Sequence, residues 1–512
     1  MVSQVVFRPR ETEGKEKGEG SLSILVVLTD TWGIKPKKPR LGKGDAWNWN
    51  CNWGTFNGSK TLRKVSTIEL QIAERASKHK GEALHSLNQF IDEALLERCY
   101  KQLNKNSASG VDGENWYEFG IEAQVRIPEL LRKFKTGEYR APQIRRVYIP
   151  KGEGEKRPLG IPTIEDKVLQ AGVRQVLEPI YEKKFKDFSY AFRPKRSAHQ
   201  AIDYMGRKIT FGGVRYIIDA DLKNYFGSIA HDMLREFVAR RVNDGVINKM
   251  IDKWMKAGIL EEGQVIYPTE GTPQGGIISP ILSNIYLHYV LDEWFSGEIQ
   301  PLLKGHSFMV RYADDFILGF SDKQEAMRVM EVLPKRFGKY KLNLHPEKTK
   351  LIDLDSESGK GERSFDFLGF THYKSEGRKG KPVMKRKTSK KKLTKAITQT
   401  EEWIKENRHR KLKELMRELN VKMRGHYNYY GIIFNHKGIH RFYIEIRNRL
   451  HKWLNRRGGK TVWTWDKFFL LINKWSPLLS PKLYQGLNSA KPILEEPYAG
   501  NLLVRVCGGA GR

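Results

Sequence analysis

The chain has 512 residues, of which 91 are lysine or arginine and 59 are aspartate or glutamate, so its formal net charge is +32. This surplus predicts a nucleic-acid partner, because a basic surface attracts a phosphate polymer and releases its counterions. No stretch approaches the roughly 18 apolar residues of a membrane-spanning helix, and Glu11 to Gly20 lacks the basic region of a signal peptide. We therefore expect several packed subdomains, no membrane partner and a cytoplasmic location, associated with the nucleoid in a bacterium.

Residues 1–62 are rich in glycine, lysine and tryptophan and have no helical or strand period. The tryptophans could stack on bases, but a short aperiodic stretch is more typical of disorder, and we leave it unassigned. A helical stretch is predicted from Leu84 to Leu103. The three cysteines of the chain lie far apart and form no CxxC pair, which favours a reducing compartment.

A turn containing Gly152 and Gly154 is flanked by Lys151 and Arg157. Arginine can bind a phosphate through two parallel hydrogen bonds, whereas lysine acts as a point charge. Such a mixed pair could reach the triphosphate of a nucleotide. A solvated basic loop is the alternative interpretation.

The segment from Tyr216 to Phe226 begins as an apolar strand and runs into Asp219 and Asp221, followed by an aromatic pair. Either acid could contribute a carboxylate to a metal site. Either could also cap a helix, because aspartate is favoured at that position.

The segment Gly271 to Gly276 combines glycines with Gln274 and precedes a helical pattern from Ile277 to Phe295. Glycines let a ligand approach the backbone closely, so Gln274 is a candidate contact for a nucleotide or a template. A simple turn before a helix is the alternative.

The tetrapeptide Tyr312-Ala313-Asp314-Asp315 lies between two short apolar runs and predicts a hairpin with both acids at its tip. Adjacent acids make a poor strand interior, because neighbouring side chains of a strand point to opposite faces. Paired Mg²⁺ ions about 4 Å apart, held by carboxylates, can activate an attacking oxygen and neutralise a leaving pyrophosphate. Since Asp-Asp pairs are also common in solvated turns, the other segments must decide.

Residues 374–395 hold eleven basic residues and one acidic residue, and we predict a mobile segment near RNA. Three amphipathic helices follow, one with its apolar face formed by Leu412, Leu415, Met416 and Leu419. In the last of them, four basic residues lie between buried positions and predict an RNA-binding face, to which nearby tyrosines would add: Arg441, Arg447, Arg449 and Lys452. A packed helix with solvated charges is the alternative.

Taken together and in this order, the segments resemble the reverse transcriptases encoded by group II introns, the maturases. The resemblance covers about residues 80–475. Its motifs are Ile149-Pro150-Lys151, Arg157 to Pro162, Asp219 to Phe226, Gly271 to Gly276, Tyr312 to Asp315, Glu347-Lys348-Thr349 and Phe367 to Phe370. Residues beyond 475 do not resemble the DNA-endonuclease module of many members, so we expect no DNA cleavage.

The resemblance implies an α+β right-hand polymerase. Its predicted parts are an N-terminal extension (63–115), helix-rich fingers (116–215), a palm with an antiparallel sheet and finger elements (216–373), a helical thumb and maturase region (374–475) and a C-terminal tail (476–512). It implies an RNA-directed DNA polymerase that extends a DNA primer on an RNA template with deoxynucleoside triphosphates and two Mg²⁺ ions. It also implies binding to a group II intron RNA and assistance in its splicing and mobility.

Particular residues acquire roles by the same resemblance. The implied catalytic and metal-binding acids are Asp221, Asp314 and Asp315, with Leu222 as a further metal position, whereas Asp219 falls where other members vary. The implied nucleotide-binding residues are Lys151, Arg157, Phe226, Gln274 and Lys348. Phe226 would be a steric gate, because its ring would clash with a 2′-hydroxyl.

Two other functions stay open. One is an RNA-binding splicing factor with an idle polymerase site, against which the intact acids argue. The other is a related reverse transcriptase that the host has recruited for defence or repair.

Overall fold

The structure is a computed structural model that describes residues 67–152, 155–272, 274–356, 362–377, 380–458 and 462–483, apart from the side chains of residues 151–155. Several predictions lie outside this part. They concern the segment 1–62, the tail beyond residue 483, the side chain of Lys151, Cys51 and Cys507.

The described residues mix helices with mostly antiparallel strands, as the predicted α+β class requires. The helices are α1 (Thr67–Lys78), α2 (Glu93–Gln102), α3 (Trp116–Ile121), α4 (Ala123–Thr136), α5 (Ile164–Glu182), α6 (Ala198–Phe211), α7 (His231–Ala239), α8 (Gly245–Met255), α9 (Ser279–Leu287), α10 (Lys323–Lys339), α11 (Lys390–Asn407), α12 (Leu412–Tyr430), α13 (His436–Leu454) and α14 (Trp465–Leu470). The strands are β1 (Ile144–Gly152), β2 (Glu155–Ile161), β3 (Tyr216–Asp221), β4 (Ile259–Glu261), β5 (Gln264–Ile266), β6 (Ser307–Tyr312), β7 (Asp315–Phe320), β8 (Lys350–Asp353), β9 (Ser364–Phe367), β10 (Phe370–Glu376) and β11 (Pro382–Thr388).

A four-stranded antiparallel sheet with the order β6-β7-β3-β8 lies at the centre of the fold. Its alternating side chains enter two separate hydrophobic clusters, as strand geometry dictates. Ile218 and Leu318 face the larger cluster, which includes α10, whereas Ile217 and Ile317 face the one that includes α6. Because both faces are covered, every residue of β6 is buried.

A second sheet, ordered β2-β1-β4-β5, contains the hairpin predicted around Gly152. Strands β1 and β2 pair in antiparallel fashion, and β1 also pairs in parallel with β4. Helix α5, whose first turn is capped by the Thr163 hydroxyl, follows β2 directly and is buried over most of its length. Its burial anchors this hairpin to the larger hydrophobic cluster.

The prediction of a mobile segment over residues 374–395 was wrong for the described residues. Strands β10 and β11 pair over seven residue pairs, and α11 begins at Lys390. Met384, Arg386 and Thr388 alternate inward along β11, so a strand period lies beneath the basic composition.

The three amphipathic helices after this sheet are confirmed as α11, α12 and α13. Leu415, Met416 and Leu419 of α12 are buried, and Leu412 is packed at the edge of the same hydrophobic cluster. Among the residues that the structure describes, no helix has the length and apolar character needed to cross a membrane.

One predicted helix is shorter than expected, and another is helical over most of its predicted range but is not a regular α-helix throughout. In place of one helix from Leu84 to Leu103, a 3₁₀ turn at Leu87–Phe90 precedes α2, which Asp92 caps. The pattern from Ile277 to Phe295 begins as α9 but continues as a π-helix at His288–Asp292. A π-helix shifts the phase of the following side chains, so it re-aims them relative to the helix before it.

Candidate active site

The central sheet brings the three predicted catalytic acids to one end. Strands β3 and β7 pair so that Asp221 lies directly opposite Asp315, at the separation of neighbouring strands, about 5 Å. Asp219 lies two residues before Asp221 and therefore on the same face. We call Asp219, Asp221, Asp314 and Asp315 the acidic cluster.

The tip of the β6–β7 hairpin presents Asp314, as predicted. Tyr312 pairs with Asp315, which leaves Ala313 and Asp314 as a two-residue turn. Ala313 has a φ of 60°, a left-handed conformation that is unfavourable for a residue with a Cβ atom and is often found at functional sites. Asp314 and Asp315 both keep part of their surface exposed.

Mutual repulsion and burial make the acidic cluster electrostatically unfavourable. Burial raises the pKa of Asp219 to about 7, and the negative charge of Asp221 adds to this rise. Burial also raises the pKa of Asp315 well above its ordinary value, with further contributions from Asp219, Asp314 and Asp221. Asp314 shifts in the same direction, because burial and the charge of Asp221 outweigh the attraction of Arg157 and Arg311. A cation would relieve this repulsion.

Two of the predicted cationic residues face the acidic cluster. Lys348, before β8, donates from Nζ to Asp221 Oδ2 at 2.7 Å. Arg157, half-buried on β2, attracts the carboxylate of Asp314. The β1–β2 hairpin therefore brings the charge of Arg157 within electrostatic range of the acidic cluster.

The donor set of the acidic cluster fits a hard divalent cation, because carboxylate oxygens are the ligands that Mg²⁺ prefers. The contact with Lys348 shows that Asp221 accommodates a positive charge. Within the described residues, no three acidic, histidine or cysteine side chains are already arranged as a metal cluster. Leu222, the fourth predicted metal position, packs its side chain in the core, so it could offer an ion its main chain alone.

The predicted nucleotide-binding residues Phe226 and Gln274 lie on two loops that are tied to the sheets. The carbonyl of Phe226, a half-buried residue, accepts a hydrogen bond from Thr272 N at 2.8 Å. The carbonyl of Gln274 accepts one from Gly160 N at 2.6 Å, which fixes the Gln274 loop against β2. Gly275 has a φ of 119°, and a Cβ atom there would lie 2.4 Å from the carbonyl oxygen of Gly160. Glycine is therefore required at this position because the loop packs closely against β2, whereas the predicted close approach of a ligand stays a prediction.

Gln274 also has a polar atom that the protein does not satisfy. Its Oε1 is buried and has no hydrogen-bond partner among the described residues. Since a buried acceptor without a partner is unfavourable, this oxygen is available for a ligand.

Sequence reasoning missed Arg311, which lies on β6 just before the turn. Its guanidinium group is fully buried, forms an ion pair with Asp292 and donates to the carbonyl of Ala313. The signal was a single arginine within the otherwise apolar strand Ser307–Tyr312. Its partner Asp292 is 19 residues away and has no motif to mark it.

The motif Phe367 to Phe370 forms the tight turn between β9 and β10, with positive φ at both Leu368 and Gly369. Two tyrosines of α12 hold this turn. Tyr429 donates to the carbonyl of Leu368 at 2.8 Å, and Tyr430 contacts Phe370. Tyr427 and Tyr430 are buried, so the prediction that the α12 tyrosines belong to an RNA-facing surface was wrong for these two.

The four predicted RNA-binding residues of α13 divide into two pairs. Arg449 and Lys452 both donate to Glu401 of α11, at 2.7 and 3.0 Å. Arg441 is exposed, and Arg447 lies over the ring of Phe469 and donates to its neighbour Asn448. Arg441 and Arg447 are therefore better placed for an external phosphate than the pair bound to Glu401.

Comparison with known proteins agrees with this geometry. Residues 149–372 match the family of reverse transcriptases (RNA-dependent DNA polymerases). Protein YkfC of Escherichia coli (strain K12) is 34% identical over 351 residues, which cover 62% of this chain and 90% of YkfC.

Two intron-related proteins match over shorter regions. The group II intron-encoded protein LtrA of Lactococcus lactis subsp. cremoris is 37% identical over 225 residues, 43% of this chain and 37% of LtrA. Nuclear intron maturase 3, mitochondrial, of Arabidopsis thaliana is 32% identical over 253 residues, 48% of this chain and 32% of that protein. The matched region thus spans about a third of each intron protein.

Proposed function

The chain belongs to the reverse transcriptases of the group II intron type, and from this membership we propose that it extends a DNA primer on an RNA template at the acidic cluster. One observation carries the proposal. Asp221 and Asp315 lie opposite each other on adjacent strands, with Asp314 at the neighbouring tip, so that carboxylates from two distant segments meet at one exposed end of the sheet.

Asp221, Asp314 and Asp315 are the proposed ligands of the catalytic metal. When bound, two Mg²⁺ ions would increase the nucleophilicity of the primer 3′-hydroxyl and neutralise charge on the leaving pyrophosphate. The structural support is the repulsion within the acidic cluster, which a positive charge relieves. Lys348 orients Asp221 through its hydrogen bond.

Arg157 and Lys151 would bind the triphosphate of the incoming deoxynucleotide from the β1–β2 hairpin. The support for Arg157 is its attraction to Asp314. A triphosphate bound beside the acidic cluster would need a cation at this place. The unsatisfied Oε1 of Gln274 would accept a hydrogen bond from the nucleotide or the template. Phe226 would lie beneath the sugar and exclude a 2′-hydroxyl.

The thumb, residues 374–475, would bind the group II intron RNA and assist its splicing. Its support is the exposed Arg441 and the half-buried Arg447 on α13 together with the net charge of +32. Structured RNA is recognised through its shape, phosphates and 2′-hydroxyls, which suits a basic helical face.

Primer extension on a long RNA template tests the polymerase proposal, with the wild-type chain beside Asp314→Asn. The wild type should produce complementary DNA with deoxynucleotides, and the variant should lose synthesis about a thousandfold, because the metal contribution is several kcal/mol. RNA binding and splicing of the cognate intron should survive in the variant. Loss of all three activities together would contradict separate sites for polymerisation and RNA binding.

The choice of nucleotide tests Phe226 separately. Phe226→Ala should raise the incorporation of ribonucleotides relative to deoxynucleotides by about tenfold to a hundredfold, the usual range for a steric pocket. A wild-type preference for ribonucleotides would contradict the gate. A group II intron domain V hairpin downstream of the reading frame would favour a maturase over an enzyme recruited by the host.

A further inference from the structure

A buried ion pair lies directly behind the turn that carries Asp314. Neither Arg311 nor Asp292 has any exposed side-chain surface. Nε of Arg311 donates to Oδ1 of Asp292 at 2.7 Å, and Nη2 donates to Oδ2 at 2.6 Å. Two parallel hydrogen bonds of this kind fix the plane of the guanidinium group as well as its position.

The remaining nitrogen of Arg311 points at the turn. Nη1 donates to the carbonyl oxygen of Ala313 at 3.1 Å and to Oδ1 of Asn284 at 3.0 Å. Asn284 is itself held, because its Nδ2 donates to the carbonyl of Ala191 at 2.7 Å. The guanidinium group therefore links Ala313, the turn residue with positive φ, to the side chains of Asp292 and Asn284.

The relative positions of Asn284 and Asp292 depend on the irregular helix that continues from α9. Asn284 lies in α9, whereas Asp292 ends the π-helix His288–Asp292. The additional residue per turn changes the direction in which Asp292 points. This arrangement lets residues eight positions apart on one helix contact the same guanidinium group.

Stability alone does not account for this arrangement. Burial raises the pKa of Asp292, but the charges and hydrogen bonds of Arg311 and His288 together outweigh burial and lower it, so the carboxylate stays charged. Apolar residues of similar volume often replace a buried ion pair without loss of stability. Apolar residues cannot donate a hydrogen bond to Ala313, whose left-handed backbone needs support from its surroundings.

We propose that Arg311 is a positioning residue that holds the carbonyl of Ala313 and thereby sets the places of Asp314 and Asp315. This inference rests on the proposed polymerase function and names the element that maintains its geometry. Misplacement of a reacting group by about 1 Å can lower a rate about a hundredfold. The residue does not touch substrate, so its loss should lower kcat and change the KM for deoxynucleotides little.

The test separates support of the turn from stabilisation of the core. The variants are Asp292→Leu, Arg311→Met and the double variant that carries both, with melting temperature, kcat and KM measured for each full-length protein. Each single change leaves a buried charge or a gap and should lower the melting temperature. The double variant should recover most of that loss, yet its kcat should stay about tenfold to a hundredfold below wild type.

Two further proteins complete the design. Arg311→Lys keeps a charge opposite Asp292, but a point charge cannot hold Asp292, Asn284 and Ala313 together, so its kcat should also fall about tenfold or more. Arg241→Met is the matched control, because Arg241 is another buried arginine that donates to main-chain carbonyls, those of His79 and Ala76. It should lower the melting temperature while the folded protein keeps its kcat.

A double variant that is as stable as wild type and has the same kcat would overturn the inference. If the double variant does not fold, Arg311→Lys decides, and a kcat equal to that of wild type overturns the role. A wild-type chain that does not extend primers would overturn the proposed function and the positioning role with it. An active wild type with an inactive Arg311→Lys supports both.

Discussion

The acidic end of the central sheet and the interface between α11 and α13 differ in whether opposite charges of the protein neutralise their acidic residues. In the sheet, Asp219, Asp221 and Asp315 share one face. Burial and the neighbouring acids raise the pKa of Asp219 and of Asp315, while Lys348 donates a hydrogen bond to Asp221. In the helices, Glu401 receives hydrogen bonds from Arg449, Lys452 and Trp453, and its pKa is lowered although burial opposes this.

The difference separates functional charges from structural ones. Charges whose repulsion is left uncompensated raise the free energy of the folded state, and they persist where a ligand will compensate them. Charges that are paired within the protein hold elements together and are less available to bind a partner. The same residue types can therefore be catalytic candidates in one region and packing residues in another.

The largest expected effect tests this division within β3. Asp221→Asn should lower primer extension about a thousandfold, because Asp221 lies opposite Asp315 at the open end of the sheet. Asp219→Asn is the matched control on the same face and should keep activity within about threefold of wild type, well below one metal ligand's contribution. Equal losses in both variants would contradict the inference that Asp221 binds the catalytic metal and Asp219 does not.

A pH measurement probes the hydrophobic cluster formed by α11, α12 and α13. His426 of α12 is buried against Phe442 without a hydrogen-bond partner among the described residues, and burial lowers its pKa to about 3. The unfolded chain, with an ordinary pKa of about 6.5, binds the proton more readily, so stability is lost as pH falls below 6.5. The free energy of unfolding should decrease by about 2 kcal/mol between pH 7 and pH 5.

The control for this prediction is His426→Phe, which keeps the ring stacked on Phe442 but cannot be protonated. Thermal unfolding at both pH values should show that the variant loses about 2 kcal/mol less than wild type on acidification. An identical pH dependence in the two proteins would contradict a neutral His426 in the folded state.

Stability should respond in opposite directions in the two regions. Asp315→Asn removes a carboxylate from the repulsive cluster and should raise the free energy of unfolding by about 1 kcal/mol while abolishing activity. Glu401→Gln removes the partner of Arg449 and Lys452 and should lower the free energy of unfolding by about 1 kcal/mol or less, with polymerisation retained. Chemical denaturation checks both, and a destabilised Asp315→Asn would argue against stored repulsion.

The smallest expected effect concerns RNA affinity. The double variant Arg441→Ala/Arg447→Ala should weaken binding to structured RNA and reduce the salt dependence by about one unit for each lost phosphate contact. Arg449→Ala/Lys452→Ala should change affinity less and lower the melting temperature more, because these side chains are bound to Glu401. Filter binding at several salt concentrations distinguishes the two, and the reverse order would contradict the division of α13.

Local periodicity explains which elements could be predicted. The β6–β7 hairpin was predictable because apolar runs flank a pair of acids, and α11, α12 and α13 were predictable from their apolar faces. Strand β11 was missed because its basic composition hides the inward alternation of Met384, Arg386 and Thr388. The basic composition indicated a mobile segment and the alternation indicated a strand, and the buried positions formed the strand.

The site was predictable as far as its motifs extend. Asp221 and Asp315 were placed together by resemblance, and strand pairing confirms that they are neighbours. The link between Arg311, Asp292 and Asn284 could not be predicted, because it depends on the phase shift of a π-helix. The pairing of Arg449 with Glu401 joins residues 48 positions apart on two helices, and a charge pattern within one helix cannot show it.

Divalent-ion binding tests the central claim most directly. Mn²⁺ can replace Mg²⁺ at sites built from carboxylate oxygens, and electron paramagnetic resonance distinguishes bound from free Mn²⁺ during a titration of the full-length protein. We expect the wild type to bind Mn²⁺ and the double variant Asp221→Asn/Asp314→Asn to lose this binding while its melting temperature stays at or above that of the wild type. Equal Mn²⁺ binding by the two proteins would contradict the assignment of these carboxylates as the metal site.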